Sequence, residues 1–201
     1  MDILESTYEN VYNDTSTKKP EKFIEVVESN WKQIDEIETR TKEQLYFKTR
    51  LTSDYGITLS KVNRFEESLS IIEKATKMFE NQINDPFKES LYEALIANRA
   101  YCNQQLKNIS KAEKDFELLC RKFPDKSNYR DWLIGIKSTR LRKLDNLFLV
   151  LISIGIFFAI VFDENDGILN YGYLPFIVVG LLGTTYILIK KKRIKTLPNS
   201  T

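Results

Sequence analysis

Residues 93–126, EALIANRAYCNQQLKNISKAEKDFELLCRKFPDK, decide the fold. Counting from Ala100, an apolar residue follows at +9 (Ile109), a small one at +12 (Ala112), a bulky one at +16 (Phe116) and an apolar one at +19 (Leu119). Residues 49–82, TRLTSDYGITLSKVNRFEESLSIIEKATKMFENQ, run through the same series: Gly56, Phe65, Ser68, Ile72 and Ala75. The reason is steric. Two antiparallel helices approach closely only where the facing residues are small, and bulky residues then fill the seam to the next pair.

The chain before residue 144 reads as helix after helix. Of five prolines and seven glycines, only Pro20, Pro86, Pro124, Gly56 and Gly135 fall there, and no window alternates like a strand over more than a few residues. Apolar residues recur at three and four instead. Phe23, Val27, Trp31 and Ile34 make one stripe, and Leu69, Ile72, Ala75 and Phe79 another. Leu95, Cys102 and Leu106 make a third, which Arg99 interrupts. The spacing predicts helices over 3–13, 20–38, 42–61, 65–82, 86–107, 110–122 and 127–143, the last running on into the apolar segment that follows. Asp85 before Pro86 is expected to start one helix, and Ser110 with Glu113 to form a capping box at another.

Together the two stretches resemble the tetratricopeptide (TPR) repeat, a helix–turn–helix unit of about 34 residues. The second matches more fully, through Asn98-Arg99-Ala100-Tyr101, Lys111-Ala112-Glu113-Lys114-Asp115-Phe116 and Phe123-Pro124-Asp125. The first has Thr52 where the family often has Trp and lacks the terminal Pro. Residues 83–92 lengthen the link between the units beyond the family period. The resemblance implies an all-α solenoid of helical hairpins, each leaving an apolar face that only a neighbour covers. Residues 1–48 are then a divergent N-terminal hairpin. Residues 127–143 are a capping and juxtamembrane helix, with Tyr129, Trp132, Leu133 and Ile136 over the open end; a lipid-interface anchor is the alternative role for Trp132.

In the repeat family the first helix of each unit lines a concave groove that takes an extended peptide or a partner helix. By resemblance the partner-facing residues are Arg50, Ser53, Asp54, Ile57 and Lys61, then Ala97, Asn98, Tyr101 and Gln105. Some members clamp a C-terminal carboxylate between paired Lys and Asn side chains. Asn98 falls at one such place, but Ser53 and Ile57 stand where the others are needed, so no clamp is expected.

The last third points to a membrane. Leu147 to Phe162 carries no charge, and after Asp163-Glu164-Asn165-Asp166-Gly167 a second uncharged stretch runs from Ile168 to Ile189. As helices these reach roughly 24 and 33 Å, against a hydrocarbon core of about 30 Å. The first draws on Leu144 as well; in the second, Pro175 either kinks the helix or marks its start. We read residues 144–189 as two transmembrane helices and 190–201 as a basic tail. Arg140, Arg142 and Lys143 precede the first span and Lys190-Lys191-Lys192-Arg193 follows the second, while the connection carries only acids. Both ends of the hairpin, and the body before it, are expected in the cytoplasm. Tyr171 and Tyr173 lie at the far interface, and no apolar segment near Met1 suggests a signal peptide.

The net charge of +2 hides an asymmetry: residues 1–126 hold 20 Lys+Arg against 23 Asp+Glu, and residues 127–201 hold 10 against 5. A mildly acidic body argues against nucleic acid, and the basic boundary favours anionic headgroups. Cys102 and Cys120 are expected as buried small hydrophobes without a disulfide.

Catalytic chemistry is not indicated. The chain has no histidine, hence no Ser-His or Cys-His pair and not the commonest metal ligand. Its glycines form no phosphate-binding loop. Pairs such as Glu66-Glu67 and Asp35-Glu36 sit among Lys and Arg as solvated faces. No catalytic residue, cofactor or metal is expected. Two functions remain open. One is a membrane-anchored adaptor that binds a cytoplasmic protein or peptide through the groove. The other is a sensor–effector whose hairpin oligomerises or regulates a membrane protein, with Ser153, Gly155, Gly180, Gly183 and Thr184 supporting close packing.

Overall fold

The periodic stripes become helices α1 (Ile3–Asn13), α2 (Pro20–Glu28), α3 (Trp31–Glu36), α4 (Lys42–Lys61), α5 (Phe65–Gln82), α6 (Ser90–Gln105), α7 (Ile109–Lys122), α8 (Ser127–Phe162) and α9 (Leu174–Lys195) in a computed structural model that describes residues 3–162 and 173–195. Among the described residues there is no strand. The chain divides into two compact units, Met1–Phe123 and Pro124–Thr201.

Three sequence expectations need correction. The helix expected over 20–38 breaks into α2 and α3, because Ser29 Oγ (2.8 Å) and Asn30 Nδ2 (3.4 Å) donate back to the Val26 carbonyl. Such local bonds offer the backbone an alternative to the helix. Lys48 of α4 then closes the C-terminal end of α3, donating to the Asp35 and Ile37 carbonyls at 2.9 and 2.7 Å. Second, Asp85-Pro86 starts a short 3-10 turn (Pro86–Lys88), and α6 begins only at Ser90. The turn seats Phe87 edge-on against Tyr92 (5.0 Å) and near Phe123 (6.1 Å), a contact with no periodic signature. Third, α7 starts at Ile109 after Asn108, so Ser110 caps nothing. Asn108 instead turns its amide toward Asn103 Oδ1 (3.3 Å).

The first unit carries its repeat in two turns built alike. Asn63 between α4 and α5 and Lys107 between α6 and α7 take left-handed backbone, with φ 64° and 63°. Arg64 N–H donates to the Leu59 carbonyl (3.0 Å) and Asn108 N–H to the Asn103 carbonyl (2.8 Å), the closure of a Schellman motif in both. α4 packs on α5, α5 on α6 and α6 on α7, so each helix contacts its neighbours in order. Ile72, Ala75, Phe79, Leu95, Ile96, Ala100, Ala112, Phe116 and Leu119 are buried between them. At the α4–α5 crossing a Cβ on Gly56 would lie 2.8 Å from Ile72 Cγ1 and 3.2 Å from the Ile72 backbone nitrogen. Ser68 Oγ donates to the Gly56 carbonyl (2.7 Å) and lies 3.3 Å from Cys102 Sγ, so the small residues are where the helices touch. Cys102 is buried and Cys120 half-buried, and neither forms a disulfide.

Residues 3–36 fold onto this frame rather than apart from it. Leu4, Val11, Phe23, Ile24, Val27 and Ile34 share one core with Leu51, Tyr55 and Leu59 of α4. Asp14 caps the intervening turn, accepting from Ser16 N–H at 2.8 Å. Glu28 of α2 ties in by accepting from Tyr55 Oη (3.1 Å) and pairing with Arg64 (2.6 Å).

The second unit is an antiparallel pair, α8 against α9. Three glycines lie on its seam. A Cβ at Gly155 would fall 2.6 Å from Ile177 Cγ1, one at Gly180 would reach Ile152 and come within 3.0 Å of the Phe148 carbonyl, and one at Gly183 would enter the Phe148 ring. Lys191 Nζ pairs with Asp145 at 2.7 Å and fixes the register at the basic end. Ser153, Thr184 and Thr185 hydroxyls return to carbonyls of their own helices, at 2.8–3.0 Å. Pro175 sits in the first turn of α9, where its missing N–H is no loss, so it marks a start and not a kink. Among the described residues, one helical segment, Leu174–Ile194, is long and apolar enough to cross a membrane by length and composition. The acidic connection Asp163–Gly167 and Tyr171 lie outside the described residues. Tyr129, Leu133 and Ile136 of α8 are buried, whereas Trp132 is 43% exposed.

Candidate partner-binding surface

α1, α4 and α6 lie in sequence, α1 packed against α4 and α4 against α6. The stripe Arg50, Asp54, Ile57 and Lys61 follows one side of α4, at successive spacings of four, three and four. The equivalent turns set Ala97, Tyr101 and Gln105 of α6 in register with Ser53, Ile57 and Lys61 of α4. Lys61 and Gln105 are exposed, and Arg50, Asp54, Ile57, Ala97 and Tyr101 are half-buried. Tyr101 meets Phe65 edge-on, with ring centroids 5.8 Å apart.

Two sequence candidates lie elsewhere. Ser53 is fully buried, its hydroxyl donating to the Thr49 carbonyl (2.6 Å), so it offers nothing to a ligand. Asn98 is occupied in holding α6 to α4. Its Oδ1 accepts from Ser60 Oγ at 2.9 Å, and its Nδ2 donates to the Ala94 carbonyl at 2.8 Å. The side chain that a carboxylate clamp would use is thus already engaged on both of its polar atoms.

The surface continues onto α1 through residues that the sequence reading left out. Tyr12 Oη donates to Asp54 Oδ2 (2.5 Å), and Arg50 Nε donates to the same oxygen (2.7 Å). The Arg50 guanidinium lies 5.9 Å from the Tyr12 ring centroid. Burial, and then the Asp54 carboxylate beside it, push the Tyr12 phenol above its ordinary range. Tyr8 extends the cluster, 4.4 Å from Tyr12 and stacked 4.2 Å from Phe47. Tyr46 beyond it is 57% exposed. The signal was present: Tyr8 and Tyr12 stand four apart on a short helix, and Tyr46, Arg50 and Asp54 repeat that spacing on α4.

One interruption in the periodic pattern also finds its reason. Arg99 donates from Nε and Nη2 to the two Asp115 oxygens (2.9 and 2.7 Å), a bidentate pair between α6 and α7. Burial works against its charge, but Asp115 prevails and raises its pKa. Tyr92 Oη donates to Glu80 (2.8 Å) nearby, joining α6 to α5. Among the described residues no group of three or more His, Cys, Asp or Glu is placed to hold a metal.

No family model matches the chain, and no curated protein matches it. Two solved structures do resemble it: the nearly identical TPR-like repeats assigned to a kinesin light chain of Podosopora anserina, and a single-substitution variant of the same protein. Each superposes with a TM-score of 0.51 at 9% sequence identity, over 96% of this chain and 94% of theirs. Likeness at so low an identity is likeness of backbone. The chain therefore has an all-helical, TPR-like fold.

Proposed function

We propose that the protein is a membrane-anchored adaptor, which holds a cytoplasmic protein or peptide at the bilayer through the surface shared by α1, α4 and α6, without catalysis or a cofactor. The observation that carries this reading is where each unit puts its apolar side chains. In the first unit they turn inward. In the second, Leu147, Val150, Phe157, Leu181, Leu182 and Leu188 are each more than half exposed. A band of this kind on both helices is unfavourable in water and suits lipid. We read α8 from Leu144 onward and α9 as two spans, with the basic ends and the first unit in the cytoplasm. The partner-facing residues are Tyr12, Tyr46, Arg50, Asp54, Ile57, Lys61, Ala97, Tyr101 and Gln105. Polar, charged and aromatic groups in such a mixture fit a protein partner, with tyrosines as low-entropy anchors.

The sensor–effector reading loses its specific support. Gly155, Gly180 and Gly183, which would favour close packing between hairpins, already face the partner helix inside one hairpin. The test is purification in mild detergent with identification of what accompanies the protein. The double variant Lys61→Glu/Tyr101→Ala should release the partner and leave membrane insertion intact. Exchanging residues 144–189 for an unrelated two-span anchor should preserve partner binding. If the groove variant keeps its partner while the anchor exchange abolishes binding, the adaptor reading is wrong.

A further inference from the structure

The antiparallel seam brings two basic clusters, far apart in sequence, to one end of the hairpin. Contacts at Gly155–Ile177, Gly180–Ile152, Gly183–Phe148 and Asp145–Lys191 step along the two helices in opposite directions. One more turn along this register sets Arg142 and Lys143 of α8 level with the start of the Lys190–Arg193 block of α9. Arg140, Arg142, Lys143, Lys190, Lys192 and Arg193 are exposed there, and Asp145 engages Lys191. The exposed apolar band begins within a residue or two, at Leu144 and Leu147 on α8 and at Leu188 and Ile189 on α9. Tyr186, 54% exposed, lies beneath Lys190, whose Nζ is 4.9 Å from its ring centroid. An amphipathic ring under an ammonium at the edge of an apolar band is the arrangement of a lipid interface.

We infer that this basic collar binds the headgroups of anionic phospholipids, at the boundary where both helices leave the bilayer. The inference rests on the two-span reading above and adds a ligand to it. Phosphate and carboxylate oxygens of a lipid such as phosphatidylserine reach cations held level with the acyl boundary. A soluble anion gains no such placement. Asp145 has a second role in this scheme, since by engaging Lys191 it sets the register and subtracts one cation from the collar.

The test uses the full-length protein reconstituted in phosphatidylcholine vesicles, with spin-labelled phosphatidylserine or spin-labelled phosphatidylcholine as probe. The motionally restricted fraction of each probe gives its relative association with the protein. The collar predicts severalfold selectivity for phosphatidylserine, lost in Arg142→Gln/Lys143→Gln/Lys190→Gln/Lys192→Gln, because each juxtamembrane cation contributes up to about fivefold. The matched variant Lys143→Arg/Lys190→Arg/Lys192→Arg should keep the selectivity, and about 1 M salt should remove it. Asp145→Asn, by releasing Lys191, should raise it. Equal association of the two probes with a wild-type protein that resists alkaline extraction would overturn the collar alone. Release of the wild-type protein by alkaline extraction would overturn the two-span reading and the collar with it.

Discussion

Substituting Gly56 by Ala sets two opposite effects against each other at one position. In an exposed helix interior the change would stabilise by about 0.5–1 kcal/mol, because glycine loses more backbone freedom on folding. Here the new methyl group meets Ile72 Cγ1 at 2.8 Å and the Ile72 backbone nitrogen at 3.2 Å. Ile72 is fully buried, and a β-branched side chain in a helix has essentially one rotamer, so it cannot swing away. The helices must part instead, which stretches the Ser68–Gly56 hydrogen bond of 2.7 Å, worth about 1 kcal/mol. Overpacking of this kind costs typically 1–3 kcal/mol, so the net expectation is a loss of about 1–2 kcal/mol. Thermal melting followed by circular dichroism on residues 1–126 should register it as a fall in Tm of roughly 3–10 °C. Gly135→Ala, made in the full-length protein, is the contrasting case, since a Cβ there meets nothing within 4 Å. Hydrogen exchange of neighbouring α8 amides should slow in that variant, by up to about fivefold. A Gly56→Ala protein more stable than wild type would show that the α4–α5 crossing is not the close approach described.

Three further outcomes are expected. Cys120, half-buried, should react with a thiol reagent in the native protein; Cys102, fully buried and with its thiol pKa raised by burial, should react only on unfolding. The Tyr12, Tyr55 and Tyr92 phenols are all held above their ordinary value, by burial first and by Asp54, Glu28 and Glu80 respectively. The native state therefore binds protons more tightly than the unfolded one. These phenols should make stability decline as pH rises through about 10, the unfolded phenol value; melts between pH 8 and 11 that show no decline would contradict the burial of these groups. For topology, a cysteine at Asn165 should be modified by an impermeant reagent applied to intact cells while Cys102 is not, and labelling of the first unit from outside would reverse the proposed orientation.

What the sequence disclosed and what it hid follow from the range of the interactions involved. Helices 3–13, 42–61 and 65–82 were legible to the residue, because their ends are set by local chemistry: a break at Asp14-Thr15-Ser16, a threonine cap at Thr41, a left-handed Asn63. The steric series from Gly56 and Ala100 was legible because crossing helices force small residues to recur at fixed spacings. The break at Ser29-Asn30 was not, since serine and asparagine are tolerated in many helices and stop one only when the following segment has somewhere better to pack. Nor was Phe87, whose turn is held by Tyr92 on the next helix and by Phe123 at the far end of the repeat. The candidate surface was half legible. Spacing placed Arg50, Asp54, Ile57 and Lys61 on one stripe, but Ser53 and Asn98 are turned into contacts that only the neighbouring backbone reveals. Tyr12 belongs to a helix that resembles no repeat, and it reaches the surface by a hydrogen bond across 42 positions of sequence.

Small residues serve both units, but the forces behind them differ. At Gly56 close approach is rewarded by water, which Ile72, Leu59 and Leu51 leave altogether. On the proposed two-span reading, lipid at Gly155, Gly180 and Gly183 would solvate an isolated helix as well as its partner does, so burial gives little drive. What remains is dispersion between backbones that can touch, and the Asp145–Lys191 pair at the edge of the band, where charge is only partly hydrated. This bears on what the hairpin can be. Close packing between copies would favour small residues on the outer faces of the helices, as at the α8–α9 seam. The outer faces instead carry Leu147, Val150, Phe157, Leu181, Leu182 and Leu188, bulky and exposed. On the proposed two-span reading such faces would mix with acyl chains without preferring one another. A hairpin packed in this way fits the tether of the proposed adaptor better than a channel subunit.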